Sequence, residues 1–300
     1  VRRFEDRINE MNAQESELVL TKDGAVYHLG LKPHQVAKNV IVVGDPARVR
    51  LISSHFEHIE HQVENREFAT HTGIYKGVRI TAMSTGIGTD NIDIVMNELD
   101  AVVNYDLETR TPKPETTSLN IIRIGTCGAL WPELEPDSTV ITSFSIGLDG
   151  VRHFYEIDPS ETEAALEEAF ISGMSLPKSF NRPYASEANE YMLEQFGHLG
   201  QQGITIAANG FFGPQGRQLR IPLRHPSFNK DVERIEFKGQ RILNYEMESS
   251  ALYALGHKLG HKCLCVCVVV ANRKAMKFST DYHTPMSQLI VNVLDTFAKS

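Results

Sequence analysis

The 300-residue sequence contains no apolar run approaching the ~18 residues of a membrane-spanning helix. It also lacks a surplus of positive charge. Lys and Arg total 30 against 38 Asp and Glu, a formal net charge of -8, which argues against a broad basic surface for nucleic acid or anionic lipid. Cysteine is scarce. Of the four, Cys263, Cys265 and Cys267 alternate in "CLCVCVVV", which is the period of one strand face and not the CxxC spacing of a zinc site. That pattern predicts buried free thiols, no disulfides and a cytoplasmic setting. The first twenty residues, "VRRFEDRINEMNAQESELVL", lack the apolar core of a signal peptide. They predict a peripheral helix or a partly disordered extension, taken as residues 1–24. There is no HExxH motif. "HFEHIEH" (55–61) spaces three histidines at i, i+3 and i+6, which reads as an exposed helix face. No nucleophile–His–acid arrangement and no internal repeat is evident.

What is present is a succession of short β-branched runs. They cover 39–44, 78–85, 119–126, 138–147, 203–209, 241–248 and 263–272. Most are almost continuously apolar, as strands buried on both faces are. Helical stripes lie between them. Ile92, Val95, Met96, Leu99, Val102 and Val103 fall on one helix face, and Met247, Ala251, Leu255 and Leu259 on another. Two more helices are predicted in 161–174 and 286–300. The alternation implies an α/β fold with a parallel or mixed sheet layered by helices, in one domain over 25–300. A Pro- and Thr-rich stretch, 106–118, reads as a surface loop.

Ligands of open α/β sheets bind beyond the carboxyl ends of the strands. The residues there form a set. "GDPARV" (44–49) offers a close backbone approach at Gly44 and a positive charge at Arg48, or else a plain turn. "STGIGTDN" (84–91) leads glycines into a helix, a geometry that favours anions. Asn91 stands where the dinucleotide fingerprint needs a third glycine. "RIGTCGA" (123–129) places Arg123 inside an apolar strand, where it needs an anion or a structural ion pair, and Thr126 at its end. "NYEMESSAL" (244–252) places Glu246 and Glu248 two apart, suited to ribose hydroxyls or to a helix N-terminus. "NGFFGPQGR" (209–217) sets two Phe, a Gln and an Arg in a glycine-rich loop, as if around a planar ring.

These motifs, in this order and spacing, resemble the nucleoside phosphorylase family related to uridine phosphorylase. The resemblance runs from "YHLGL" (27–31) through "NREF" (65–68) to "ANR" (271–273). It implies a three-layer α/β/α domain with a central mixed sheet and a distorted barrel. It implies phosphorolysis of uridine, with deoxyuridine and thymidine as further candidate substrates, inorganic phosphate as co-substrate and no required cofactor. Arg48, Arg123, Glu248 and Arg217 would carry catalysis. Gly44, Arg48, Arg123 and Thr126 would bind phosphate, joined by Arg66 of a neighbouring subunit. Glu246, Met247, Glu248, Thr126 and a neighbour's His28 would hold ribose. Gly128, Phe211, Gln215 and Arg217 would hold the base, with Phe212 anchoring the loop in the core. Glu67, Ile87 and Asn91 would hold a structural potassium between subunits of a homodimer or of a hexamer built from dimers. Purine phosphorylases resembling this chain place an Asp after the last strand; here it is Asn272, which favours a pyrimidine. A purine phosphorylase and a hydrolytic nucleosidase are the alternatives on this fold.

Overall fold

The computed structural model describes residues 13–299. They fall into two compact units, one of residues 13–86 and 94–119, the other of 87–93 and 120–299. Each is α/β.

The smaller unit is built from β1 (Asn39–Val43), α1 (Pro46–Ser53), β2 (His58–Asn65), β3 (Phe68–Tyr75) and β4 (Val78–Ser84). Strand β1 pairs parallel with β4, which continues antiparallel through β3 to β2. In "GDPARV" the turn is brief. Asp45 accepts a hydrogen bond from Ala47 N at 2.9 Å, and Pro46 starts α1 at once. The helix expected over "HFEHIEH" is instead strand β2. Its ladder with β3 runs from His58 to Asn65, and tertiary pairing overrode a weak helical period. The histidines are nonetheless largely exposed, as expected. Helix α2 (Thr89–Asn104) follows, and the unit boundary falls within it. Its predicted stripe is real: Ile92, Val95, Met96, Leu99 and Val102 are all buried. Each such side chain contributes roughly 1.5–3 kcal/mol. Of the N-terminal extension, residues 1–12 lie outside the described residues, and 15–17 form a turn rather than a helix.

The larger unit contains β5 (Asn120–Ala129), β6 (Thr139–Gly147), α3 (Glu161–Gly173), β7 (Tyr184–Glu187), α4 (Glu190–Phe196), β8 (Gln201–Ala207), β9 (Gln240–Glu246), α5 (Ser249–Lys258), β10 (Lys262–Asn272) and α6 (His283–Phe297). Its sheet is mixed. The pairs β9–β8, β8–β6 and β10–β5 are parallel, while β6–β10 is antiparallel. The antiparallel pair β5–β9 then closes the ring. The mixed sheet is as expected and its closure agrees with the expected distorted barrel; the three-layer description is corrected, because this sheet curls partly onto itself. Bulges at 203/204, 204/205 and 269/271 bend the strands enough for β9 to meet β5. Cys263, Cys265 and Cys267 are buried and free, as their alternation on β10 predicted. No helix among the described residues is long and apolar enough to cross a membrane.

Candidate active site

The loop 209–217 leaves β8 and folds over its own side chains. Gly213–Gln215 form a 3-10 turn, which buries the Gln215 side chain. The Arg217 guanidinium lies 3.8 Å from the centre of the Phe211 ring. Its Nη1 donates to Phe211 O at 2.6 Å and to Gln215 Oε1 at 2.5 Å. Gly128 belongs to the same group, since a Cβ there would stand 3.8 Å from Arg217 Nη2. The four residues assigned to the base are thus together. Phe212 is not the anchor expected: it is 52% exposed. The brace is Arg273, which the sequence placed at the end of β10 without a role. It donates to the carbonyls of Gln215 and Gly216. Burial, then the neighbouring Arg273, lower the Arg217 pKa from its ordinary value.

Arg123 lies inside β5 and is buried. It forms a close ion pair with Glu248, and its Nη1 is 3.5 Å from Glu246 Oε2. The thiols of Cys265 and Cys267 each lie 3.7 Å from the same Nη1. Nε has no hydrogen-bond partner among the described residues. A buried guanidinium with one N–H unspent can still accept an anion. Its seat depends on Gly125, where a Cβ would lie 2.0 Å from Arg123 Nη1 and 2.9 Å from Cζ. No sequence signal marked that glycine, because the clash is with a side chain two residues back on the same strand face. Thr126, next on the strand, is half-buried.

Glu248 completes the cluster. Its second oxygen accepts from Gly88 N at 2.8 Å, so the anion held at the second glycine of "TGIG" is this carboxylate. Glu246 is spent differently. It accepts from Glu248 N at 2.9 Å, Ser249 N at 3.0 Å and Ser249 Oγ at 2.5 Å, closing the N-terminus of α5. Met247 is half-buried between the two glutamates.

Burial, moderated by Arg123 and reinforced by Glu248, pushes the Glu246 pKa up to about 7. A raised carboxyl pKa means that the native state holds the proton longer than the unfolded chain. This contribution is therefore complete below the unfolded value of 4.5 and is lost as pH rises towards 7. Thermal melts should fall between pH 5 and pH 7 by more in the wild type than in Glu246→Gln, which keeps an acceptor for α5. Parallel curves would remove Glu246 as the cause.

In the smaller unit, Gly44 ends β1, and a Cβ there would come 3.3 Å from Gly86 O. Arg48 is half-buried on α1. His28 is held by Glu98, whose carboxylate accepts from His28 N and Leu29 N and lies 2.6 Å from His28 Nδ1. Glu98 was not legible in the sequence, being 70 residues away and beside the apolar stripe of α2. Arg66 occupies the β2–β3 turn with φ 55°, a left-handed conformation that favours glycine. It reaches 5.4 Å from the Tyr27 ring centre, beside His28. The two residues assigned to a neighbouring subunit thus share one corner. Glu67 and Ile87 are exposed and Asn91 half-buried. Among the described residues no cluster of three His, Cys, Asp or Glu side chains suited to a metal exists.

A family model described as "Phosphorylase superfamily" matches residues 38–295. The chain belongs to the phosphorylase superfamily. A uridine phosphorylase of Thermococcus kodakarensis is 32% identical over 260 residues, 86% of this chain and 81% of that protein. A purine nucleoside phosphorylase of the DeoD type from Anoxybacillus flavithermus is 26% identical over 246 residues, 81% of this chain and 85% of that protein. In structure the chain is similar to a Trypanosoma brucei nucleoside phosphorylase described as showing uridine phosphorylase activity. The TM-score is 0.85 at 27% identity, covering 94% of this chain and all of that one.

In this phosphorylase Asn272 is fully committed. Its Nδ2 donates to Trp131 O and Leu134 O, both at 2.7 Å, and its Oδ1 accepts from Ala275 N at 2.9 Å. Asn272→Asp would set a carboxylate against two carbonyl oxygens. Loss of about 3 kcal/mol is expected, since buried acceptors left unpaired cost ~1–3 kcal/mol each. Inosine cleavage should not rise, because the carboxyl would face the backbone and not a base. Melting temperature and inosine turnover check both; a stable variant that cleaves inosine would refute the locked amide.

Proposed function

We propose that the chain catalyses the reversible phosphorolysis of uridine to uracil and ribose 1-phosphate. The observation that carries this reading is the cluster of Phe211, Gln215, Arg217 and Gly128: an aromatic face with a donor and acceptor edge beside it. Glycosidic cleavage develops an oxocarbenium-like ribose and, for a pyrimidine, a negative charge on the carbonyls of the departing base. Phe211 stacks on the ring. Arg217 takes up the carbonyl charge and Gln215 reads the ring N–H and a carbonyl, once they exchange their mutual contact for the base. Glu248 accepts from ribose hydroxyls with Met247 and Thr126 alongside, and Arg123 presents its spare N–H to phosphate. Gly44, Arg48 and Arg66 of a neighbouring subunit add further phosphate donors, with the neighbour's His28 at the ribose, roles that rest on the family resemblance. Positioning and preorganised charge carry the catalysis, with no covalent enzyme intermediate.

The same reading makes 25–300 the catalytic domain, with 1–24 an extension, and the enzyme a cytoplasmic homo-oligomer. It leaves Glu67, Ile87 and Asn91 as a proposed potassium position. A purine phosphorylase is disfavoured by the locked Asn272, and a hydrolase by the buried Arg123.

The deciding experiment follows base release from uridine, thymidine and inosine with and without phosphate. Uridine should be cleaved fastest, and only with phosphate. Faster inosine cleavage would sink the pyrimidine reading; phosphate-independent rates would sink phosphorolysis.

A further inference from the structure

Against the loop 209–217 the larger unit carries an open cavity of about 730 Å³. Small-molecule sites are typically about 300–1,000 Å³. None of Arg123, Thr126, Glu246 or Glu248 lines it. Its walls come from Leu148, the 177–181 segment, the loop itself and the 219–228 segment.

The base of the cavity is aromatic and apolar. Phe228 is buried, and Phe180 stacks on it with ring centres 6.2 Å apart and an interplanar angle of 29°. Phe212, Leu219 and Ile221, which also line the cavity, are 52%, 76% and 82% exposed, so much of its apolar lining is uncovered.

The rim is cationic. Arg217, Arg220 and Arg224 line the cavity together with His225, whose Nε2 lies 2.9 Å from Asp231 Oδ2, and no carboxylate lines it. Arg50, Arg79, Arg152, Arg234 and Arg241 find acidic partners, whereas Arg48, Arg66 and Arg182 have none among the described residues. Carboxylates are in excess, 38 against 30 basic residues. Yet Arg220 and Arg224 have no ion pair among the described residues. Cations left unpaired over an aromatic floor fit a ligand carrying both a flat ring and a negative charge.

We propose that this cavity is a second ligand site for a small planar aromatic anion, such as an aryl carboxylate, sulfonate or phosphate. Its occupant touches Phe212, Pro214 and Arg217, so it meets the loop that holds the base. An anion there competes with Gln215 and Phe211 for the Arg217 guanidinium and weakens nucleoside binding.

The test uses 1-anilinonaphthalene-8-sulfonate and its uncharged counterpart N-phenyl-1-naphthylamine, titrated by fluorescence into the 300-residue chain. The variant is Arg220→Gln combined with Arg224→Gln, which leaves the apolar walls intact. One sulfonate should bind per chain, and the variant should bind it at least about tenfold more weakly. The uncharged probe should bind both proteins alike, with unchanged melting temperatures. The sulfonate should also raise KM for uridine in the wild type and much less in the variant. That arm rests on the uridine reading, whereas the binding arm does not. Equal sulfonate affinity in both proteins overturns the site. So does a parallel loss for the uncharged probe. A change of oligomeric state in the variant, seen by sedimentation, would make this face an interface between copies and equally overturn it.

Discussion

Arg217→Ala should lower uridine phosphorolysis by about 10²–10³-fold while leaving phosphate protection against heat intact. The magnitude is that of one preorganised donor to a developing anion, about 3 kcal/mol. The separation of effects follows from the geometry. Arg217 holds Phe211 and Gln215 and faces Gly128, and among the described residues no hydrogen bond or ion pair joins it to Arg123 or Glu248. The loop should survive the truncation, because Arg273 still holds the carbonyls of Gln215 and Gly216. The measurements are kcat/KM for uridine and the phosphate dependence of the melting temperature. Loss of phosphate protection would move Arg217 to the phosphate site or to structure. Unchanged turnover would remove it from the mechanism.

Gly125→Ala should be nearly as damaging by a different route. The new methyl would lie 2.0 Å from Arg123 Nη1, 2.9 Å from its Cζ and 3.0 Å from Cys267 Sγ. The guanidinium cannot remain, and its departure leaves Glu248 buried without its cation. Breaking one partner of a buried ion pair costs about 3–5 kcal/mol. A fall in melting temperature of roughly 5–15 °C is expected, together with a large rise in KM for phosphate. A double-mutant cycle identifies the cause. In an Arg123→Ala background the methyl has no guanidinium to displace, so its further cost in stability should shrink to less than about 1 kcal/mol. Full additivity would show that Gly125 acts on the strand and not on Arg123.

Both variants probe residues whose importance was unevenly legible. Arg217 stood out in the chain because its loop neighbours are Phe, Gly, Pro and Gln, a composition that only a ligand explains. Gly125 did not stand out, because its constraint is the folded-back path of the Arg123 side chain. Glu98 and Arg273 belong to the same class. Each acts on a partner 58 or more residues away, His28 in one case and Gln215 in the other. No local spacing records such a pairing.

The elements follow a similar division. Runs such as "NVIVVG" and "CLCVCVVV", and the stripe from Ile92 to Val102, specify strands and a helix locally. Periodicity and burial agree there, so the chain alone sufficed for the α/β class, the buried thiols and the family. Strand β2 shows the limit: its histidines and glutamates carry no strand period, and only pairing with β3 makes it one. The closure of β5 on β9, the ion pair of Arg123 with Glu248 and the cap that Glu246 supplies to α5 are likewise contacts between distant segments. So is the locking of Asn272 onto Trp131 and Leu134. Local propensity selects elements because it acts within a few residues. Which charges become buried partners, and which donors remain free for a ligand, is settled when those elements pack, since burial sets the cost of leaving a polar group unpaired.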